Sequence, residues 1–94
     1  MTFYVYILAS KRNGTLYIGS TDDLWRRTTE HKAHTRPGFT DRYGVTLLVL
    51  FEEHETRESA FVRERRMKEW RRSWKLRLIE AANPKWRDLF DIFN

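Results

Sequence analysis

Apolar positions along the chain fall into short runs of strand character and longer stretches at helical spacing. Phe3 to Ala9 reads Phe-Tyr-Val-Tyr-Ile-Leu-Ala, and this β-branched and aromatic block predicts a strand. Ser10 to Gly14 predicts a turn, in which Asn13-Gly14 supplies the positive φ of a tight hairpin. Thr15 to Gly19 is the returning strand; Gly19 ends it and allows another group close to the backbone. Asp22 or Thr21 caps a helix running from about Asp23 to Lys32, with Asp23 in its first turn. On that helix Leu24, Thr28 and His31 share a face, and Arg27 lies beside them.

Ala33 to Tyr43 reads as a loop marked by Pro37-Gly38, and Val45 to Glu52 as a third strand. Its apolar run from Leu47 to Phe51 suits burial on both faces. A second helix is expected from Thr56 to Arg71, with Ala60, Met67, Trp70 and Trp74 as the apolar stripe. Thr56 and Ser59 make a poor capping box, although Glu58 sits in the first turn. Ser73 marks a break. A short helix then covers Trp74 to Ala82, with Leu76, Leu78 and Ile79 inward, until Asn83-Pro84 stops it. Trp86, Leu89, Phe90, Ile92 and Phe93 form an apolar tail that packs back on the sheet. The expected fold class is α/β (α+β): a single domain over 1–94, with a small three-stranded antiparallel sheet flanked by three helices.

Composition narrows the function classes. Ninety-four residues suffice for one modest core. With 0 cysteines, a disulfide framework and a thiolate zinc site are both excluded. No stretch approaches the roughly 18 apolar residues of a membrane span, and Met1-Thr2-Phe3-Tyr4 runs straight into a strand without a leader-like pattern. The expectation is a cytoplasmic protein without a membrane partner. Formal net charge is +5. Basic residues cluster at Arg63, Arg65, Arg66, Lys68, Arg71, Arg72, Lys75 and Arg77, against Glu64 and Glu69 in the same stretch. Such clustering suits a phosphate backbone, with a solvated face as the plainer alternative.

Tyr6 and Tyr17 lie on adjacent strands and can point to one face, either as core aromatics or as functional phenols. Arg27 and His31, four apart on the first helix, can handle phosphate oxygens and a proton respectively. Arg26 points about 100° away around the helix. Glu64 falls within the stripe of the second helix; it is either paired with Lys68 at i+4 or a ligand for a hard cation. His34 and His54 are too isolated to propose as ligands, and a zinc set of His31, His34 and Glu64 lacks a known spacing. Trp25, beside Arg26, is the best candidate for stacking on a base; Trp70 and Trp74 fit a core role better.

Tyr4-Val5-Tyr6 and Tyr17-Ile18-Gly19, followed in order by Arg27, His31 and Glu64, resemble the GIY-YIG nuclease superfamily. Gly38-Phe39-Thr40, Lys68-Glu69-Trp70 and the ending Asn83-Pro84-Lys85-Trp86-Arg87-Asp88-Leu89 are similar to its small stand-alone bacterial members, the UPF0213-like group. Tyr4 stands where the family's first motif glycine would be, a departure that touches strand packing more than chemistry. The resemblance implies a GIY-YIG fold and metal-dependent phosphodiester hydrolysis of nucleic acid, with DNA preferred over RNA. The implied catalytic set is Tyr6, Tyr17, Arg27, His31 and Glu64, with Mg²⁺ or Mn²⁺ held by Glu64. Tyr17 or Tyr6 would be the general base, directly or through His31. Asn83 is the candidate for a further polar site residue, and Gly19, Trp25, Arg26, Arg63, Lys68, Arg71 and Arg72 are candidate nucleic-acid contacts. The molecule would be a monomer or weak homodimer. The alternative is a nucleic-acid-binding module with this fold and little cleavage. A structural domain with core tyrosines is the blandest reading.

Overall fold

The computed structural model describes residues 1–33 and 38–93, with 39, 41, 92 and 93 described by backbone alone. The expected loop's residues 34–37, including His34 and Pro37, lie outside the described residues. Described elements run in the order β1 (Phe3–Ala9), β2 (Leu16–Thr21), α1 (Leu24–Lys32), α2 (Phe39–Tyr43), β3 (Leu47–His54), α3 (Arg57–Glu69) and α4 (Arg72–Ala82), followed by a 3₁₀ turn (Leu89–Phe93). The sheet is antiparallel in the order β2-β1-β3, so β1 is central. The expected sheet and its three flanking helices are present, and α2 adds one short turn of helix within the expected loop.

Alternation along β1 separates two cores. Val5, Ile7 and Ala9 join Ile18, Val49, Leu50, Ala60, Met67, Ile79 and Trp86 on the face covered by α3 and α4. Tyr6 and Leu8 join Leu24, Val45 and Leu48 on the face covered by α1 and the 3₁₀ turn. The apolar run of β3 serves both through a bulge. Ile7 faces Leu50 while Leu8 faces Leu48, which leaves Val49 as an extra residue.

Local chemistry explains the boundaries, with several shifts from expectation. Asn13 takes the positive φ of the first turn (59°), whereas Gly14 is not in that region. Asp23, not Asp22 or Thr21, caps α1, accepting from Arg26 N at 3.0 Å. Gly19 lies inside β2 rather than at its end. Thr56 caps α3 by accepting from Ser59 N at 3.0 Å. The break between the last two helices falls at Trp70 and Arg71, both extended (ψ 151° and 147°), and not at Ser73. Trp74 is correspondingly 46% exposed and edge-on to Trp70, instead of buried.

Polar side chains fasten the layers. Arg63 on α3 grips Glu52 on β3 through two bonds of 3.0 Å, and this hydrogen-bonded guanidinium holds the Glu52 carboxyl below its usual range. Asp88 accepts from Leu48 N and Phe90 N and pairs with Lys32, tying the tail to β3 and α1. Asn83 donates to Val49 O and Arg87 O and accepts from Arg87 N, which fixes the turn after α4.

Thr28 of α1 is fully buried, and its hydroxyl has no hydrogen-bond partner among the described residues. An unsatisfied buried hydroxyl is costly, and valine has nearly the same shape. Thr28→Val is expected to raise unfolding free energy by about 1 kcal/mol, read from the urea midpoint at unchanged slope. A loss of stability would mean that the hydroxyl is satisfied in solution.

Candidate active site

The β1–β2 register sets the geometry. Tyr6 faces Gly19, and Tyr17 faces Leu8, so both phenols stand on the α1 side as diagonal neighbours, with ring centroids 6.3 Å apart. Gly19 makes room for them. A Cβ there would lie 2.6 Å from Tyr6 Oη, 2.7 Å from Tyr6 Cζ and 3.1 Å from Tyr17 Cε1. The close approach anticipated at Gly19 is therefore made by the Tyr6 ring.

Helix α1 lays His31 over the pair, 6.1 Å from the Tyr6 ring and 5.4 Å from the Tyr17 ring. His31 Nε2 is 3.3 Å from Tyr6 Oη, and Nδ1 is 2.8 Å from Thr40 Oγ1 of α2. His31 thus bridges Tyr6 and Thr40 through its two ring nitrogens, and its tautomer sets which partner donates in each bond. Arg27, one helical turn before His31, is paired with Glu30 at 3.3 Å, as is Arg26 at 3.6 Å.

Glu64 reaches the site from the opposite layer. Ser20 faces Val5, so its side chain is on the α3 side of edge strand β2. There its hydroxyl donates to Glu64 Oε1, and Lys68 Nζ donates to Oε2 at 2.6 Å. The carboxylate is close enough to act on Tyr6. Burial, above all, pushes the Tyr6 phenol well above its usual range; the charges of Tyr17 and Glu64 push the same way, and Arg27 opposes them. Tyr6, Tyr17 and His31 thus meet on the α1 face, with Arg27 and Glu64 near enough for their charges to bear on Tyr6.

The other expected site residues are placed differently. Asn83 spends its amide on the α4–tail junction. Arg63 is engaged by Glu52 and lies over Trp70 (4.9 Å). Arg72 donates to the hairpin carbonyls of Asn13 and Gly14, both at 2.7 Å, and Arg71 lies over Trp74. Trp25 is 42% exposed but stacked on Phe90 (centroids 4.5 Å, planes 17° apart). Lys68 and Arg26 remain beside the cluster, Lys68 on Glu64 and Arg26 with Arg27 in a cavity of ≈ 250 Å³. Ser20, which holds Glu64, was not singled out from sequence, and Thr40, which holds His31, entered only as part of the Gly38-Phe39-Thr40 resemblance. Strand alternation carried the signal for Ser20, because it must face the layer opposite Tyr17 and Gly19.

No group of three or more His, Asp or Glu that could hold a metal ion occurs among the described residues, and His34 of the weighed zinc set lies outside them. The oxygen donors at Glu64 and Ser20 nonetheless suit a hard cation that keeps most of its waters.

Family comparison assigns this fold to a class of nuclease-type domains. The GIY-YIG catalytic domain matches residues 2–77, and the chain belongs to that family. Within it, the chain is a small member of UPF0213 type. It is 38% identical over 79 residues to a UPF0213 protein of Haloquadratum walsbyi, covering 84% of this chain and 88% of that one. A UPF0213 protein of Clostridium perfringens is 37% identical over 82 residues, with 87% of each chain covered. The solution NMR structure of a UPF0213 protein from Bacillus halodurans superposes with a TM-score of 0.58 at 28% identity, covering 94% and 93% of the two chains. The family implies a nucleic-acid substrate. Among the described residues, no helix is long and apolar enough to cross a membrane.

Two outcomes follow from the packing. Gly19→Ala is expected to cost about 1–3 kcal/mol through overpacking, and the cost should shrink when Tyr6→Val is already present; equal costs in both backgrounds would refute the close approach. Tyr6 is favoured in its protonated form on folding, so the folded state binds more protons than the unfolded one above the ordinary phenol range. Stability is then full below about pH 10 and falls as pH rises further. In an alkaline titration of tyrosinate absorbance, Tyr6→Phe should remove a step that coincides with unfolding. Retention of that step would reassign it to another tyrosine.

Proposed function

We propose that this chain is a divalent-metal-dependent endonuclease that hydrolyses phosphodiester bonds in nucleic acid, with DNA as its substrate. The supporting observation is the convergence of Tyr6, Tyr17 and His31 on one face of the hairpin, with Arg27 and Glu64 near enough to act on Tyr6 by charge. Tyr17 is the better general base, since Tyr6 is buried and held protonated. Tyr17 accepts the proton of the attacking water as its own hydroxyl proton passes to the adjacent His31 ring. The oxygen of that water bonds to phosphorus as the bond to the leaving oxygen breaks. Arg27 stabilises charge on the phosphoryl oxygens. Glu64 holds Mg²⁺ or Mn²⁺, which when bound supplies Lewis-acid stabilisation of the same charge. Tyr6 is hydrogen-bonded to His31 and keeps it oriented. In this reading the chain is a single cytoplasmic domain acting as a monomer or weak homodimer.

A second reading, a nucleic-acid-binding module with little cleavage, is favoured by one observation: both Glu64 oxygens are already engaged, by Ser20 and Lys68. A screen of single-stranded, duplex, flapped and branched substrates with Mg²⁺, Mn²⁺ or EDTA separates the two. Glu64→Ala should retain nucleic-acid binding while losing metal-dependent cleavage by about a hundredfold or more. Full cleavage by Glu64→Ala would remove Glu64 from the chemistry, and an uncleaved but bound substrate with the unmodified protein would favour the binding module.

A further inference from the structure

Lys68 occupies an unusual position between two grooves. It lines one with Phe61, Glu64, Arg65 and Glu69, and another of ≈ 300 Å³ with Leu16, Tyr17, Ile18 and Lys75. Its ammonium rests on Glu64 Oε2 at 2.6 Å, on the side of the first groove. Its side chain is 51% exposed, whereas that of Glu64 is only 14% exposed. A sheltered carboxylate requires compensation, and Ser20 offers a neutral donor to one oxygen only. Lys68 therefore supplies the positive charge that Glu64 needs when nothing else does.

We propose that Lys68 is an exchangeable counter-ion, which leaves Glu64 when another cation takes that carboxylate and turns into the Tyr17 groove to bind a backbone phosphate of the nucleic acid. This rests on the reading of Glu64 as the metal-holding residue. Two cations on one carboxylate oxygen repel each other, so arrival of one favours departure of the other. The lysine stem is flexible and its charge compact, which suits such an exchange better than an arginine fork would. The receiving groove already presents Lys75, whose ammonium is 3.4 Å from Lys68 O, and Tyr17 forms its wall. A phosphate there would lie at the exposed edge of β2, on the strand face opposite the Tyr17 phenol. Lys68 is thus a positioning residue that couples the state of Glu64 to the grip on the substrate backbone.

The test needs neither metal nor cleavage. Wild type, Lys68→Met, Glu64→Gln and the double variant are titrated with a short DNA duplex in EDTA across a salt series. Glu64→Gln frees Lys68, so it should bind about three- to tenfold tighter than wild type, with a salt slope steeper by about one. With Lys68→Met already in place, adding Glu64→Gln should change affinity by less than about twofold, so the double variant loses that gain. A gain that survives in the double variant, no gain in Glu64→Gln, or no binding by any of the four overturns the proposal. Calorimetric titration with Mn²⁺ alone supplies a second readout: Lys68→Met should bind the ion more tightly, and equal affinities overturn the counter-ion role. If the cycle holds while no substrate is cleaved with any metal, the nuclease reading fails and the exchange stands. If cleavage requires Glu64 but the cycle fails, the reverse applies.

Discussion

Opposite Tyr6, on the neighbouring strand, β2 has no side chain. That gap at Gly19 lets an almost fully buried phenol lie across the sheet with its hydroxyl near the edge. The rest of the cluster depends on this contact. With the Tyr6 ring in that place, Tyr17 is held beside it, His31 is hydrogen-bonded to the hydroxyl, and the ring of His31 is fixed by Thr40. A methyl group at Gly19 would contest the same volume as the phenol. The constraint is steric, since Gly19 is not among the positive-φ residues. Burial then gives Tyr6 its chemical character: a phenol that keeps its proton orients its neighbours and leaves base chemistry to the less buried Tyr17.

The site uses the edge of a three-stranded sheet in a way that a central strand could not allow. Side chains on β2 alternate between layers, so Tyr17 and Gly19 serve the α1 face while Ser20 serves the α3 face. A carboxylate from α3 can meet phenols from the other layer only by passing around an edge. Ser20 is the hinge of that arrangement, because it holds Glu64 at the strand from which the two layers diverge.

Much of this was legible in the amino-acid sequence, for identifiable reasons. β1 was read to the residue because aromatic and β-branched side chains fill it without interruption. Strand periodicity could put Tyr6 and Tyr17 on one face and helix periodicity did the same for Arg27 and His31, while their union with Glu64 came from the resemblance to the GIY-YIG superfamily. The helix break at Trp70–Arg71 was not legible. Neither glycine nor proline marks it, and Trp70 is held there by packing against the α3–α4 core and Arg63. The bulge at Val49 was hidden for a similar reason: a continuous apolar run looks the same with or without an extra residue. The basic cluster is hard to read from sequence in another way. Charge density along the chain does not say which guanidinium groups have partners within the fold, and Arg63, Arg71 and Arg72 all have them.

The opposite edge of the sheet shows why so small a chain can leave β2 to the site. On β3, Asp88 takes Leu48 N and Asn83 takes Val49 O, so backbone groups around the bulge are satisfied by side chains of the tail. An exposed strand edge invites pairing with another chain, and covering it is one established remedy. Here the cover also carries Leu89 and Phe90 into the core beneath Tyr6 and Leu24. Asn83, which looked like a candidate for the site, thus acts at the far edge of the sheet. By closing β3 and buttressing α1, the tail allows the layer that bears Arg27 and His31 to remain in register with the phenols on β1 and β2.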